Sequence, residues 1–134
     1  MKRKIKGFSL MELMIVVLLI GILSAVGIIF FGQHAEQARI EAAKASTSSI
    51  YLVQQEYMSN NGSYYYTSGG CSSTTTGQII SELFDGSKDL SEKDFYYCIS
   101  GNSNSNTFKI TAKNKTTNCQ IMRDEKNNVT ESNC

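Results

Sequence analysis

The sequence predicts an α+β fold: a long N-terminal α-helix, half suited to a membrane and half amphipathic, packed on a small antiparallel β-sheet head. Three observations predict it. Residues 13–31 form a nearly unbroken apolar run of 19 residues. After Phe31 the apolar positions become periodic, as on a helix with one buried stripe. Beyond Asn60 the composition shifts to Ser, Thr, Gly, Asn and Tyr, and short alternating segments bounded by turn residues follow.

The first element is the apolar helix. With Phe8 to Met11 added, the run covers the ~20 residues needed to cross a hydrocarbon core of about 30 Å. Four cations, Lys2, Arg3, Lys4 and Lys6, precede it, and no comparable cluster follows Phe31. The positive-inside rule then places the N-terminus in the cytoplasm and the bulk of the chain outside it. One carboxylate, Glu12, lies just inside this segment. An acidic residue in mid-membrane costs roughly 2.5–3.5 kcal/mol, less near the edge, so Glu12 calls for a partner.

The order of residues at this junction is Lys-Arg-Lys-Ile-Lys-Gly, then Phe-Ser-Leu-Met-Glu, then Leu-Met-Ile-Val-Val-Leu-Leu-Ile-Gly-Ile-Leu. It resembles the prepilin signature of the type IV pilin and pseudopilin superfamily, closely over the first ~35 residues and in outline thereafter. The resemblance implies cleavage by a prepilin peptidase between Gly7 and Phe8 and methylation of the new Phe8 amine. The seven-residue leader is similar to the short-leader class.

Cleavage would give each subunit one ammonium at Phe8 and one carboxylate at Glu12 within an apolar helix. An unpaired buried charge costs far more than a paired one, and a neighbour shifted along an assembly axis can offer its amine to this carboxylate. Donor and acceptor patches differ, so the contact is heterologous and propagates into an open helical filament. Apolar burial alone gives little preference for register when a helix leaves lipid for a bundle of like helices, which leaves that task to Phe8 and Glu12. Two other readings compete. A secretory signal has an apolar core of about 7–15 residues followed by a small-residue cleavage site, and Ser24-Ala25-Val26-Gly27 imitates one poorly. An uncleaved anchor predicts an intact Met1.

The second element continues the first. Ala35, Ala38, Ala42 and Ala45, then Ile50, Val53 and Tyr57, recur at helical steps and predict the buried stripe. Glu36 with Arg39 and Glu41 with Lys44 form i,i+3 pairs of a few tenths of a kcal/mol on the wet face. An unbroken helix from Phe8 to Met58 would be about 75 Å long. Asn60-Asn61-Gly62-Ser63 supplies the helix-ending chemistry.

The head occupies residues 59–134. Ser59 to Gly77, with Tyr64, Tyr65 and Tyr66, reads as a long connecting loop ended by a short apolar stretch at 79–84. Residues 95–100, 107–112 and 119–123 read as three antiparallel strands set against the helix, an arrangement that also resembles a pilin head. The chain departs from the common pilin pattern in having no proline. Many pilins carry one within the membrane helix, where Ile29 stands here, and Gly21, Gly27 and Gly32 remain as soft points.

The four cysteines, 71, 98, 119 and 134, all fall on the exported side, and His34 is the only histidine. Their spacing matches no tight zinc knuckle, so disulfides are expected. Three connectivities are open. Cys71–Cys98 with Cys119–Cys134 is preferred because the second pair ties the last residue back to a strand. A loop of about 15 residues so closed stabilises by roughly 3 kcal/mol on the chain-entropy model. The loop from Cys119 to Cys134 resembles the disulfide-bounded region that pilins commonly expose on the fibre.

Residues 8–134 carry 9 Lys/Arg against 12 Asp/Glu, a side-chain balance of −3, which argues against general polyanion binding. Lys109, Lys113 and Lys115 could form a local basic patch with tyrosines as stacking surfaces; the ordinary reading is a solvated strand and turn. Asn61-Gly62-Ser63, Asn114-Lys115-Thr116 and Asn128-Val129-Thr130 fit the glycosylation acceptor pattern, which arises readily by chance in such a composition, and no role is assigned. Asp85, Asp89, Glu92 and Asp94 lack EF-hand spacing and read as polar surface. No phosphate-binding loop or catalytic constellation is present in the sequence, so no enzyme, cofactor or metal is expected.

The sequence thus predicts a leader at 1–7, a transmembrane and filament-core helix at 8–32, its amphipathic continuation at 33–58 and a globular head at 59–134. The resemblance implies a structural subunit of a type IV pilus, made as a single-pass inner-membrane precursor and then built into an extracellular fibre serving adhesion, motility or DNA uptake. Its partners would be identical or homologous pilin subunits, the prepilin peptidase and the inner-membrane assembly machinery. The alternative is a minor pilin or pseudopilin of a competence or type II secretion filament, whose head could bind DNA or a surface. Abundance in sheared fibres separates the two.

Overall fold

The structure is a computed structural model in which residues 7–87, 90 and 93–134 are described. Lys2, Arg3, Lys4 and Lys6 and two of the surface carboxylates, Asp89 and Glu92, lie outside these residues. The chain divides into two units, Met1–Gln37 and Ala38–Cys134. Helix α1, Leu10–Asn61, belongs to both.

In the first unit α1 runs through Gly21, Gly27 and Gly32 without a break. The reason is local: leucine, isoleucine and alanine tolerate the helix well, and Ser9 caps its start. The Ser24 hydroxyl donates to the Ile20 carbonyl at 2.7 Å and so satisfies itself within the apolar stretch. None of the large apolar side chains here is buried by the chain itself; Phe31, for example, is 77 % exposed.

The second unit buries a stripe of α1 that shares only Ile50 with the fully buried positions expected from the sequence. Ile40, Ala43, Thr47, Ile50 and Gln54 face the core, whereas Ala35, Ala38, Ala42 and Ala45 are exposed, and Val53 and Tyr57 are half-buried. Two polar residues displace the alanines because each finds partners inside. Gln54 brackets the Tyr65 backbone, donating to its carbonyl at 2.7 Å and accepting from its amide at 2.9 Å. Thr47 accepts from Arg123 Nε at 3.3 Å and donates to the Lys44 carbonyl at 2.8 Å. Fully bonded side chains can be buried at little cost, and alanine contributes little apolar area in exchange. Helix α1 ends at Gly62, whose φ of +75° suits a residue without Cβ and whose amide donates to the Met58 carbonyl at 2.8 Å.

The segment expected to be a loop through Gly77 contains a second helix, α2, Ser73–Leu83. Its run of threonines hides it, since β-branched residues favour strands. Ser72 nevertheless caps it, exchanging hydrogen bonds with Thr75 as a capping box, and Ile79 and Leu83, one turn apart, bury one face.

Four strands follow in a meander of order β1-β2-β3-β4, every neighbour antiparallel. They are β1 Phe95–Asn102, β2 Thr107–Asn114, β3 Gln120–Asp124 and β4 Val129–Ser132. The fourth was not expected. It is short and almost wholly exposed, so it carries no hydrophobic alternation. Phe95, Tyr97, Ile99, Phe108, Ile110, Ala112 and Ile121 line the inner face and form the core with the α1 stripe. The Tyr97 hydroxyl, buried beside Ser46, makes no well-formed hydrogen bond, and burial pushes its pKa upward.

The sheet is closed at its β1 edge by side chains. Thr75 donates to the Tyr97 carbonyl at 2.8 Å, Thr76 accepts from the Tyr97 amide at 2.9 Å, and Thr67 exchanges two bonds of 2.9 Å with Ile99. These hydroxyls take the place of a fifth strand. The Tyr66 ring covers Gly101, where any Cβ would run into that ring and the Thr107 carbonyl. The Tyr66 hydroxyl also donates to that carbonyl at 3.2 Å.

Disulfides join Cys71 to Cys98 and Cys119 to Cys134. The second closes the β3–β4 hairpin, which is also fastened to α1. Arg123, buried on the inner face of β3, donates to Thr47, to the Lys44 carbonyl and to Asn127 Oδ1. The Lys44 ammonium sits between Glu131 at 2.5 Å and Glu41 at 2.9 Å, and hydrogen bonds to Glu131 first and Glu41 second raise its pKa. The Tyr51 hydroxyl donates to the Glu125 carbonyl at 3.3 Å.

Candidate assembly site

Gly7 and Phe8 precede α1 and are exposed, Phe8 by 84 %. Ser9 starts the helix: its hydroxyl accepts from the Glu12 amide at 3.2 Å, and its carbonyl accepts from the Leu13 amide at 3.2 Å. Ser9 and Glu12 therefore stand as N-cap and third helical residue, the Ser-x-x-Glu spacing of a capping box. Sequence reasoning missed this role although the spacing is legible. It gives Glu12 a local reason to be where it is, since a carboxylate in the first turn is favoured by the helix dipole. That stabilisation is small, typically 0.3–1 kcal/mol at exposed sites, against the 2.5–3.5 kcal/mol that insertion scales assign an acid at mid-membrane. Among the described residues, no side chain pairs with the Glu12 carboxylate.

Behind this end lies a length of α1 whose large apolar residues from Leu10 to Phe31 are all exposed. It is long and apolar enough to cross a membrane. The three glycines in it have no atom near the place a Cβ would occupy, so nothing within the chain requires them.

The three lysines singled out in the sequence lie on the other unit. Lys109 and Lys113 are exposed on the outer face of β2, with half-buried Thr111 between them. Lys115 follows the strand, its ammonium 4.5 Å from the centroid of the Tyr96 ring and its amide donating to the Asp94 carbonyl at 3.0 Å. Lys113 is paired in register with Tyr96, so two lysines flank one aromatic ring. Of the surface carboxylates, Asp94 meets Arg39 at 3.7 Å, while Asp85 adopts a left-handed turn. Among the described residues no group of three His, Cys, Asp or Glu is placed to hold a metal ion.

Comparison with known proteins adds one match. Residues 2–28 fit the family described as the prokaryotic N-terminal methylation motif, whose pilin-type proteins are structural and not enzymatic. No curated protein and no solved structure matches the chain. The match spans Gly7, Phe8, Glu12 and most of the apolar helix. Together with the pilin-like architecture of a long helix and a four-stranded antiparallel sheet, it makes the chain similar to the type IV pilins and pseudopilins.

Proposed function

We propose that the chain is a structural subunit of a type IV pilus, cut after Gly7, methylated at Phe8 and held in the fibre by a Phe8 ammonium of one copy facing the Glu12 carboxylate of another. The observation that carries this reading is the apolar half of α1, exposed from Leu10 to Phe31 and lying largely within a methylation motif. A helix that buries none of its apolar side chains in its own fold has to bury them elsewhere, first in lipid and then against its own kind. The Glu12 carboxylate, unpaired among the described residues, supplies the specific contact that apolar burial lacks.

On this reading residues 1–7 are the leader, the segment to 32 is membrane anchor and then fibre core, and the head faces outward. The precursor sits in the inner membrane with its N-terminus in the cytoplasm, meets the prepilin peptidase and the assembly machinery there, and leaves as an extracellular fibre. A scarce subunit of a competence or secretion filament would share these steps, and its yield in sheared fibres would be low.

Mass spectrometry of the subunit from sheared fibres tests the proposal. The expected N-terminus is Phe8 with one added methyl group, whereas Met1 still attached inside a fibre overturns it. Glu12→Ala protein should be cleaved normally yet yield at least about tenfold fewer fibres, because its partner amine is left buried and unpaired. Fibres at the normal level from that variant would remove Glu12 from the mechanism.

A further inference from the structure

Two surfaces of the Ala38–Cys134 unit are left over by its own packing, and they carry opposite charge. The first is the outer face of the sheet, where Lys109 and Lys113 stand exposed about 14 Å apart along β2 at ~3.4 Å per residue. Among the described residues no ion pair engages either ammonium. Asp124, across from Lys109, is committed to its own turn, where it accepts from Asn128 Nδ2 and from the amides of Asn128 and Lys126.

The second surface is a groove of about 260 Å³ formed by the last turns of α1 and α2, lined by Val53, Glu56, Tyr57, Asn60, Glu82 and Leu83. Glu56 and Glu82 are exposed at its rim, and no ion pair among the described residues engages them. Half-buried Val53 and Tyr57 and buried Leu83 give it an apolar floor. A floor of that kind accepts the methylene stem of a lysine while carboxylates at the rim take its ammonium.

We infer that the Lys109–Lys113 face of one head docks against the Glu56–Glu82 groove of a second copy in the assembled fibre; this rests on the pilus reading above. The two surfaces differ, so the contact is heterologous and repeats from copy to copy without closing. The charge balance favours a second copy over nucleic acid as the occupant. Residues 8–134 are net negative at −3, which repels a polyanion at long range, whereas the groove matches the lysines with carboxylates carried by the same chain.

The test uses fibres sheared from cells making the full chain. Zero-length carbodiimide coupling, read by peptide mass spectrometry, should link Lys109 or Lys113 to Glu56 or Glu82 in fibres and not in detergent-solubilised precursor. Lys109→Glu with Lys113→Glu, and separately Glu56→Lys with Glu82→Lys, should each lower fibre yield by about tenfold or more, as like charges meet across the contact. Combining all four should restore it, with cleavage after Gly7 and head melting unchanged throughout. Fibres that couple elsewhere but not at these residues overturn the inference. So do reversals without effect, or a folded, cleaved four-fold variant that fails to recover. Salt-sensitive DNA retention that disappears with the lysine reversals at unchanged fibre yield assigns the face to nucleic acid and overturns it too. Cleaved wild-type protein that forms no fibres defeats the pilus reading itself, and this contact with it.

Discussion

The two units of this chain treat their chemistry in opposite ways. Between Ala38 and Cys134, polar groups brought inside are mostly answered from within: Gln54 by the Tyr65 backbone, Arg123 by Thr47, Asn127 and the Lys44 carbonyl, the β1 edge by three threonines. Between Gly7 and Gln37 almost nothing is answered. Apolar side chains lie exposed, and among the described residues the glycines have no atom where a Cβ would sit and Glu12 has only its helix start. The lesson is that one unit is stabilised by its own contacts, and the other leaves its apolar side chains uncovered by the described residues.

The strongest attempt to break that contrast places the same kind of truncation in both units. Phe108→Ala removes a ring that is 2 % exposed and packs against Tyr51 and Tyr64. It should destabilise the head by about 3–5 kcal/mol. Leu23→Ala, at a side chain 72 % exposed, should leave the same transition unmoved. Denaturant titration of the full chain in detergent, followed by near-ultraviolet circular dichroism of the tyrosines, checks both.

A smaller effect sharpens the polar side of the comparison. Gln54→Leu keeps the volume and removes both partners of Tyr65, leaving its amide and carbonyl half-buried without bonds. The expected loss is about 1–3 kcal/mol, read in the same titration, with fast hydrogen exchange at the Tyr65 amide as its local signature.

The smallest effect is a pH response at the edge of the head. Asn128, through its side chain and then its backbone, holds Asp124 below the ordinary carboxylate value, with the Lys126 amide adding to it. A group whose folded pKa is depressed stabilises the fold above its unfolded value and loses that contribution as pH falls through the folded one. The β3–β4 turn should therefore loosen first as acid is added below the usual aspartate range. Lys44 works in the other direction: its raised pKa confers stability present below the ordinary lysine value and lost as pH rises past it. Amide exchange at Lys126 and Asn128 across an acid titration checks the first. Protection of these amides relative to their intrinsic exchange at each pH that does not fall with acid would show that Asp124 does not hold the turn.

How far the fold was legible follows the same division. The first unit was read almost entirely from sequence, since a run of apolar residues behind cations needs no tertiary partner to be recognised. In the head, the antiparallel strands at 95, 107 and 119–120 were legible by alternation, and β4 was not, because no face of it is buried. Helix α2 was hidden because its first turn is threonine, and its merit lies in what those threonines reach on β1. The α1 stripe was misread for a related reason: alanine spacing marks a helix face, but only partners far along the chain, Arg123 for Thr47 and Tyr65 for Gln54, decide which face turns inward. Of the site, Gly7, Phe8 and Glu12 stood out from sequence alone. The Ser9 cap is equally legible in the Ser-x-x-Glu spacing, which the membrane cost of the same glutamate masks.

The threonine closure of β1 bears on storage. On the pilus reading proposed above, copies would crowd side by side in a bilayer before assembly, and an open ribbon would let their heads anneal into aggregates before ordered growth. With Thr67, Thr75 and Thr76 occupying that margin, and the opposite margin cut to the four residues of β4, sticking by backbone is suppressed. On the same reading, adhesion between copies would be left to side chains, whose pattern specifies a geometry.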